Sequence, residues 1–170
     1  IPDISDLNDS NKKTIFVDDS ASAGGDGTSW ASAHKYLQDA LAAAEYGDEI
    51  WVAEGTYKPT EGSFVSHMIL GHVGLENRSK AFNLIDGVHL YGGSRGYESS
   101  RVPLGDSNQT LLSGEIGSDS SLWSLHVVVG YDLKTETVLD GFRITQGNAN
   151  GLGQDSRGGG MYLENSTMKI

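Results

Sequence analysis

The chain has no cysteine in 170 residues, so neither a disulfide framework nor a thiolate metal site holds it together. That absence leaves the compartment open, because many bacterial surface proteins are cysteine-free. Proline is scarce, at three residues, and no stretch is compositionally simple enough to be a disordered tract. No run of 18 or more apolar residues occurs, so membrane insertion as a spanning helix is not expected. Basic side chains are few: 12 Lys and Arg against 23 Asp and Glu leave a formal net charge of -11. Phosphate backbones and anionic lipid surfaces would repel such a chain, which argues against nucleic acid as a partner. The first residues, Ile1-Pro2-Asp3, lack the features of a secretion signal and read as a processed or trimmed end. The length suits one domain with its own core.

Glycine is plentiful, at 23 residues, and it falls in a pattern. A short apolar-rich strand, then glycine, then polar loop returns at 48–55, 86–93, 109–114, 126–130, 137–145 and 158–163. Strands at nearly regular intervals, with no long helices between them, predict a stacked solenoid. Residues 1–13 carry turn formers without apolar periodicity and read as a linker or flexible arm, followed by a domain over 14–170. The spacing of Ala33, Leu37, Ala40, Leu41 and Ala44 predicts one amphipathic helix from about 32 to 45, capping the N-terminal end of the stack. In Ile50-Trp51-Val52 and Val88-His89-Leu90 the aliphatic residues share one face while Trp51 and His89 point the other way. Asp140-Gly141 interrupts its run and predicts a sharp corner between two strand segments. Residues 59–80 form the largest excursion and a candidate binding loop. The chain stops at Thr167-Met-Lys-Ile170 in what reads as another strand, which predicts an uncapped end, a fragment of a longer chain, or self-association through that end.

Five segments carry a family resemblance: Phe16-Val-Asp-Asp, Gly25-Asp-Gly-Thr-Ser-Trp30, Leu37 to Ala44, Gly47 to Tyr57, and Val138 to Thr145. Together they resemble the N-terminal portion of bacterial right-handed parallel β-helix surface proteins, over about residues 14–163. Gly158-Gly-Gly-Met-Tyr162 is similar to the glycine-glycine-aliphatic repeat of polymorphic outer membrane proteins, which share autotransporter-passenger character. The resemblance implies an all-β, pectate-lyase-like right-handed parallel β-helix with one N-terminal capping α-helix. It also implies secretion or a bacterial cell-surface location and a structural or adhesive role, with polysaccharide or another surface molecule as partner. It implies no particular reaction, because that coil hosts adhesins, lyases and hydrolases alike.

A polysaccharide lyase needs a base and a cation for the uronate; a glycoside hydrolase needs two carboxylates flanking one bond. Arg143, inside a strand, and Asp140, beside the corner, are the catalytic candidates, with an outward strand charge and an Asx turn as the plainer readings. Asp86, Glu115 and Glu164 are carboxylates by position only, and Lys58, Arg95, Arg101 and Arg157 are scattered cations. Asp18, Asp19 and Asp26 place three carboxylates in one glycine-rich loop, the candidate calcium site, without the ligand spacing of an EF-hand. No other cofactor is expected. Trp51, Tyr57, Tyr97, Trp123 and Tyr131 are candidates for stacking on sugar rings, while Trp30 is expected to wedge the helix in place.

Overall fold

Alternation of apolar and polar side chains sets the strands. The computed structural model describes residues 12–62, 78–101 and 109–170. In β1 (Thr14–Val17) Ile15 and Val17 are buried while Thr14 and Phe16 take the other face. In β2 (Glu49–Ala53) Ile50 and Val52 point inward and Glu49 and Trp51 outward. The chain continues through β3 (Gly55–Tyr57), β4 (Phe82–Asn83), β5 (His89–Ser94), β6 (Thr110–Ser113), β7 (Val128–Tyr131), β8 (Val138–Asp140), β9 (Phe142–Thr145) and β10 (Met161–Glu164). These form a four-stranded sheet ordered β1-β2-β5-β8 and two three-stranded sheets ordered β3-β6-β9 and β10-β7-β4. Among the described residues every strand pairing is parallel. From β2 onward the chain visits the three sheets in cyclic order, contributing one strand to each before returning to the first.

Parallel register puts like side chains in rows. Ile15, Ile50, Leu90 and Leu139 line up inside the four-stranded sheet. Tyr57, Leu112 and Ile144 do so in the second sheet, and Phe82, Val128 and Met161 in the third. All three rows meet in one hydrophobic core. Burying each Leu, Ile or Phe in it stabilises the fold by about 1.5–3 kcal/mol relative to leaving it exposed.

Adjacent parallel strands cannot be joined by a tight hairpin, and the β1-to-β2 crossover contains a helix, α1 (Leu37–Ala43). Its buried residues Leu37, Ala40 and Leu41 belong to the common core, and the helix contacts β1, β2 and β4. It is shorter than the apolar spacing predicts because both flanks are taken by other structure. A 3₁₀ turn occupies Trp30–Ser32, His34 bridges to Val17 in parallel, and Tyr36 and Ala44 are extended.

These findings correct the expectation of an all-β, pectate-lyase-like right-handed parallel β-helix with one capping α-helix. Strand accounts for 30% and helix for 12% of the structure, in three short parallel sheets with a mixed α/β-like character. The helix is a crossover between two paired parallel strands, as in a βαβ unit, rather than a cap added to a strand stack. Short apolar runs bounded by glycine do signal buried strands, but they do not say how the strands are grouped into sheets.

The corners use left-handed backbone. Gly141, at φ 83°, turns the chain from β8 to β9, where Asp140-Gly141 predicts a corner. Asp132 and Asn165, directly after β7 and β10, are both left-handed, and the Asn165 amide donates to the Asp132 carboxylate. Of the predicted 59–80 excursion, residues 63–77 lie outside the described residues, as do residues 1–11 of the predicted arm.

Candidate binding face

Two outward rows cross the four-stranded sheet. One runs Thr14, Glu49, His89, Val138; the other runs Phe16, Trp51, Tyr91, Asp140. The second row begins in an aromatic cluster: Trp30 meets Phe16 edge-on with ring centres 4.8 Å apart, and Phe16 meets Trp51 at 5.8 Å. The Trp30 indole N–H donates to the Glu98 carbonyl at 2.8 Å, so Trp30 pins the 94–101 loop against β1 rather than wedging the helix. At the other end the Arg101 guanidinium lies 3.4 Å from the centre of the Tyr91 ring and donates to Asp140 Oδ2 at 2.8 Å.

The neighbouring row is polar from Thr14 to His89 and ends at the buried Val138. His89 Nε2 sits 3.0 Å from the Glu136 carbonyl, which can only accept, so Nε2 carries a proton. His89 Nδ1 lies 3.3 Å from the Tyr91 hydroxyl. Burial raises the Tyr91 hydroxyl above its ordinary value, and the charge on Glu49 adds to the shift. Burial also opposes charge on Glu49, but the Trp51 indole N–H, at 3.0 Å, and Lys12 outweigh it and hold that carboxyl below its usual range. Ion pairs Lys12 with Glu49 at 3.3 Å and Lys169 with Glu136 at 2.8 Å complete the rim.

The candidate catalytic pair is divided by the corner. Asp140 ends β8 on this face and is paired with Arg101, whereas Arg143 is exposed on β9, opposite Leu111 in a different sheet. The other sequence-derived carboxylates are engaged separately. Asp86 Oδ1 accepts from the backbone of Lys134 and Thr135, Glu115 pairs with Lys58 at 3.0 Å, and Glu164 Oε2 accepts from Tyr162 and Gln154. Among the stacking candidates, Tyr57 is buried at 2% exposure beneath the Asp19 loop and Trp51 shows 9%, whereas Tyr97 is open at 70%.

The calcium candidates point to three different tasks. Asp18 Oδ1 accepts from the backbone and hydroxyl of Ser20, closing its own turn. Asp19 Oδ2 reaches across to the Thr56 amide at 3.0 Å and so ties the loop to β3. Asp26 Oδ1 gathers Ser32 Oγ, Thr28 Oγ1 and the Thr28 amide, at 2.7, 2.8 and 3.0 Å. Among the described residues no group of three or more His, Asp or Glu side chains is arranged to hold a metal ion. A hollow lined by Asp18, Gly24, Gly25 and Trp30 borders the loop, with Asp18 its only ionisable side chain.

The bonds to Asp26 carry a pH prediction. The Ser32 hydroxyl first, then the amide and hydroxyl of Thr28, lower its carboxyl from 3.8 to about 2. A depressed carboxyl contributes stability that is complete above the unfolded value and is lost as pH falls through the folded one. The loop contribution is therefore expected to vanish between pH 3.8 and about 2. Acid titration of Asp26→Asn should lack that component, and an acid-unfolding profile identical to that of the parent chain would contradict the assignment.

A second polar cluster escaped the sequence reading. His126, buried just ahead of β7, places Nδ1 3.1 Å from the Gly158 carbonyl and Nε2 3.6 Å from Asp155 Oδ1. Its ring lies 5.0 Å from Tyr162, which in turn faces Tyr131 at 6.2 Å. Burial first, then the Tyr162 and Glu164 side chains, raise the Tyr131 hydroxyl to about 12. The cluster fastens the 151–158 loop to the outer side of β7 and β10. No spacing in the sequence marks it, because His126 and Asp155 belong to different passes of the chain.

Comparison with protein-family models, curated proteins and solved structures finds no match. Among the described residues no helix is long and apolar enough to cross a membrane. The functional reading therefore rests on the outer face of the four-stranded sheet.

Proposed function

We propose that this protein is a glycan-binding module with an adhesive or structural role, and that it binds through the outer face of β1, β2, β5 and β8. The observation that carries the reading is the row Phe16, Trp51, Tyr91, Asp140, in which aromatic rings end at a charged and hydrogen-bonding edge. Trp51 is buried and backs the row, so the ring offered to the apolar C–H surface of a sugar is the half-buried Tyr91, while His89, Glu49 and Asp140 supply polar partners for hydroxyls. A location outside the cell or on its surface belongs to the same proposal, since that is where polymeric glycans are met. The lyase and hydrolase alternatives draw less support. Asp140 and Arg143 leave the corner on different sheets, and the other carboxylates singled out in the sequence already hold turns or ion pairs.

The test is calorimetric titration with a panel of neutral, amino and acidic oligosaccharides, with product analysis after prolonged incubation. Binding without turnover is expected, weakened about tenfold by Tyr91→Ala, the equivalent of about 1.4 kcal/mol. Tyr46→Ala, which removes an exposed ring outside the two outward rows, should leave affinity unchanged. Failure of every panel member to bind, or equal affinity in Tyr91→Ala, would refute the proposal.

A further inference from the structure

We infer that this face takes a cationic glycan, one bearing free amino groups, and that Arg101 is its internal stand-in. The inference rests on the glycan-binding reading above and specifies its ligand. Arg101 already shows what the site accepts: a planar cation 3.4 Å from the centre of the Tyr91 ring and 2.8 Å from Asp140 Oδ2. An aromatic face beside a carboxylate is an arrangement that also stabilises an ammonium group.

The two signs of charge on this face are anchored differently. Glu49 and Asp140 belong to strands β2 and β8, whose backbones are fixed by parallel pairing. Their partners Lys12 and Arg101 lie outside the described strands, each with a side chain 40% exposed. Glu49, held by the Trp51 indole, and Asp140, on a short side chain from a paired strand, thus keep their places, and the longer Lys12 and Arg101 side chains can swing into water when a ligand cation arrives. Exposed ion pairs of this kind are weak, so their displacement opposes binding only slightly. A uronate would meet Glu49 and Asp140 directly and the net charge of -11 at longer range, both repulsive.

The probes are glucosamine, N-acetylglucosamine and galacturonate oligomers of equal length, titrated into the full chain. The glucosamine oligomer is expected to bind at least about tenfold more tightly than the other two at low salt, with the advantage shrinking as salt screens it. Asp140→Asn should weaken the glucosamine oligomer by the larger factor, so that its advantage over the N-acetylated oligomer disappears. Arg101→Ala should strengthen glucosamine binding about threefold, because a cation no longer occupies the platform. Thermal melting of both variants verifies that they are folded. Binding of the N-acetylated or acidic oligomer as tightly as the amino form overturns the cationic inference and leaves the glycan reading standing. Unchanged or weaker binding in Arg101→Ala overturns the stand-in role. If none of the three binds, the glycan reading fails and this inference with it.

Discussion

Leu90→Ala is expected to lose about 2–5 kcal/mol of folding stability, the range for emptying a fully buried leucine site. Leu90 has no exposed surface and stands in the row between Ile50 and Leu139, where the neighbouring strands are held by parallel pairing. Collapse of the gap would require β5 to move against β2 and β8 together, so little relaxation is available. Leu90→Met nearly conserves the volume and should cost less than about 1.5 kcal/mol. Urea unfolding checks both: the midpoint should fall while the slope holds. A loss below about 1 kcal/mol for the alanine variant would mean that the row is not continuous core.

Gly147→Ala is expected to cost about 3 kcal/mol or more, at the upper end of overpacking penalties. A Cβ at this position falls onto the carbonyl oxygen of Gly159 and also crowds Val127. The collision is with backbone, so no rotamer change relieves it, and the chain segments around 147 and 159 would have to separate. Gly160→Ala provides the contrast. Its Cβ would meet only Ile144, at an ordinary 3.6 Å, and the change should stay within about 0.5 kcal/mol. Equal melting temperatures for the two variants would contradict the close approach.

Strand positions were legible in the sequence where alternation was strong. Ile50-Trp51-Val52 and Val88-His89-Leu90 divide between inside and outside as period-two reasoning requires, and Asp140-Gly141 marks a corner. β3 and β4 escaped notice because three residues or two are too short to show a period. The helix was legible in kind and overextended in length, since Ser32 and His34 were drawn into a 3₁₀ turn and a bridge to Val17. Its role as a crossover was hidden, because that depends on β1 and β2 being neighbours. The site was harder to see. Trp51, Tyr91 and Asp140 become one row only through register between three passes of the chain. Arg101 reaches that row from a loop, and no local pattern connects it with Tyr91. Conversely, Asp18, Asp19 and Asp26 are close in sequence and yet engaged with three separate sets of partners.

The cyclic path of the chain through its three sheets has a kinetic consequence. Among the described residues no two adjacent strands of a sheet are joined by a hairpin: Phe82 pairs with Val128, Tyr57 with Leu112, and His89 with Val138, each across dozens of intervening residues. Loop-closure entropy must therefore be lost before most of the compensating contacts exist, which slows nucleation. The molecule is expected to refold on the millisecond-to-second scale characteristic of high contact order, with α1 and its local turns able to organise early.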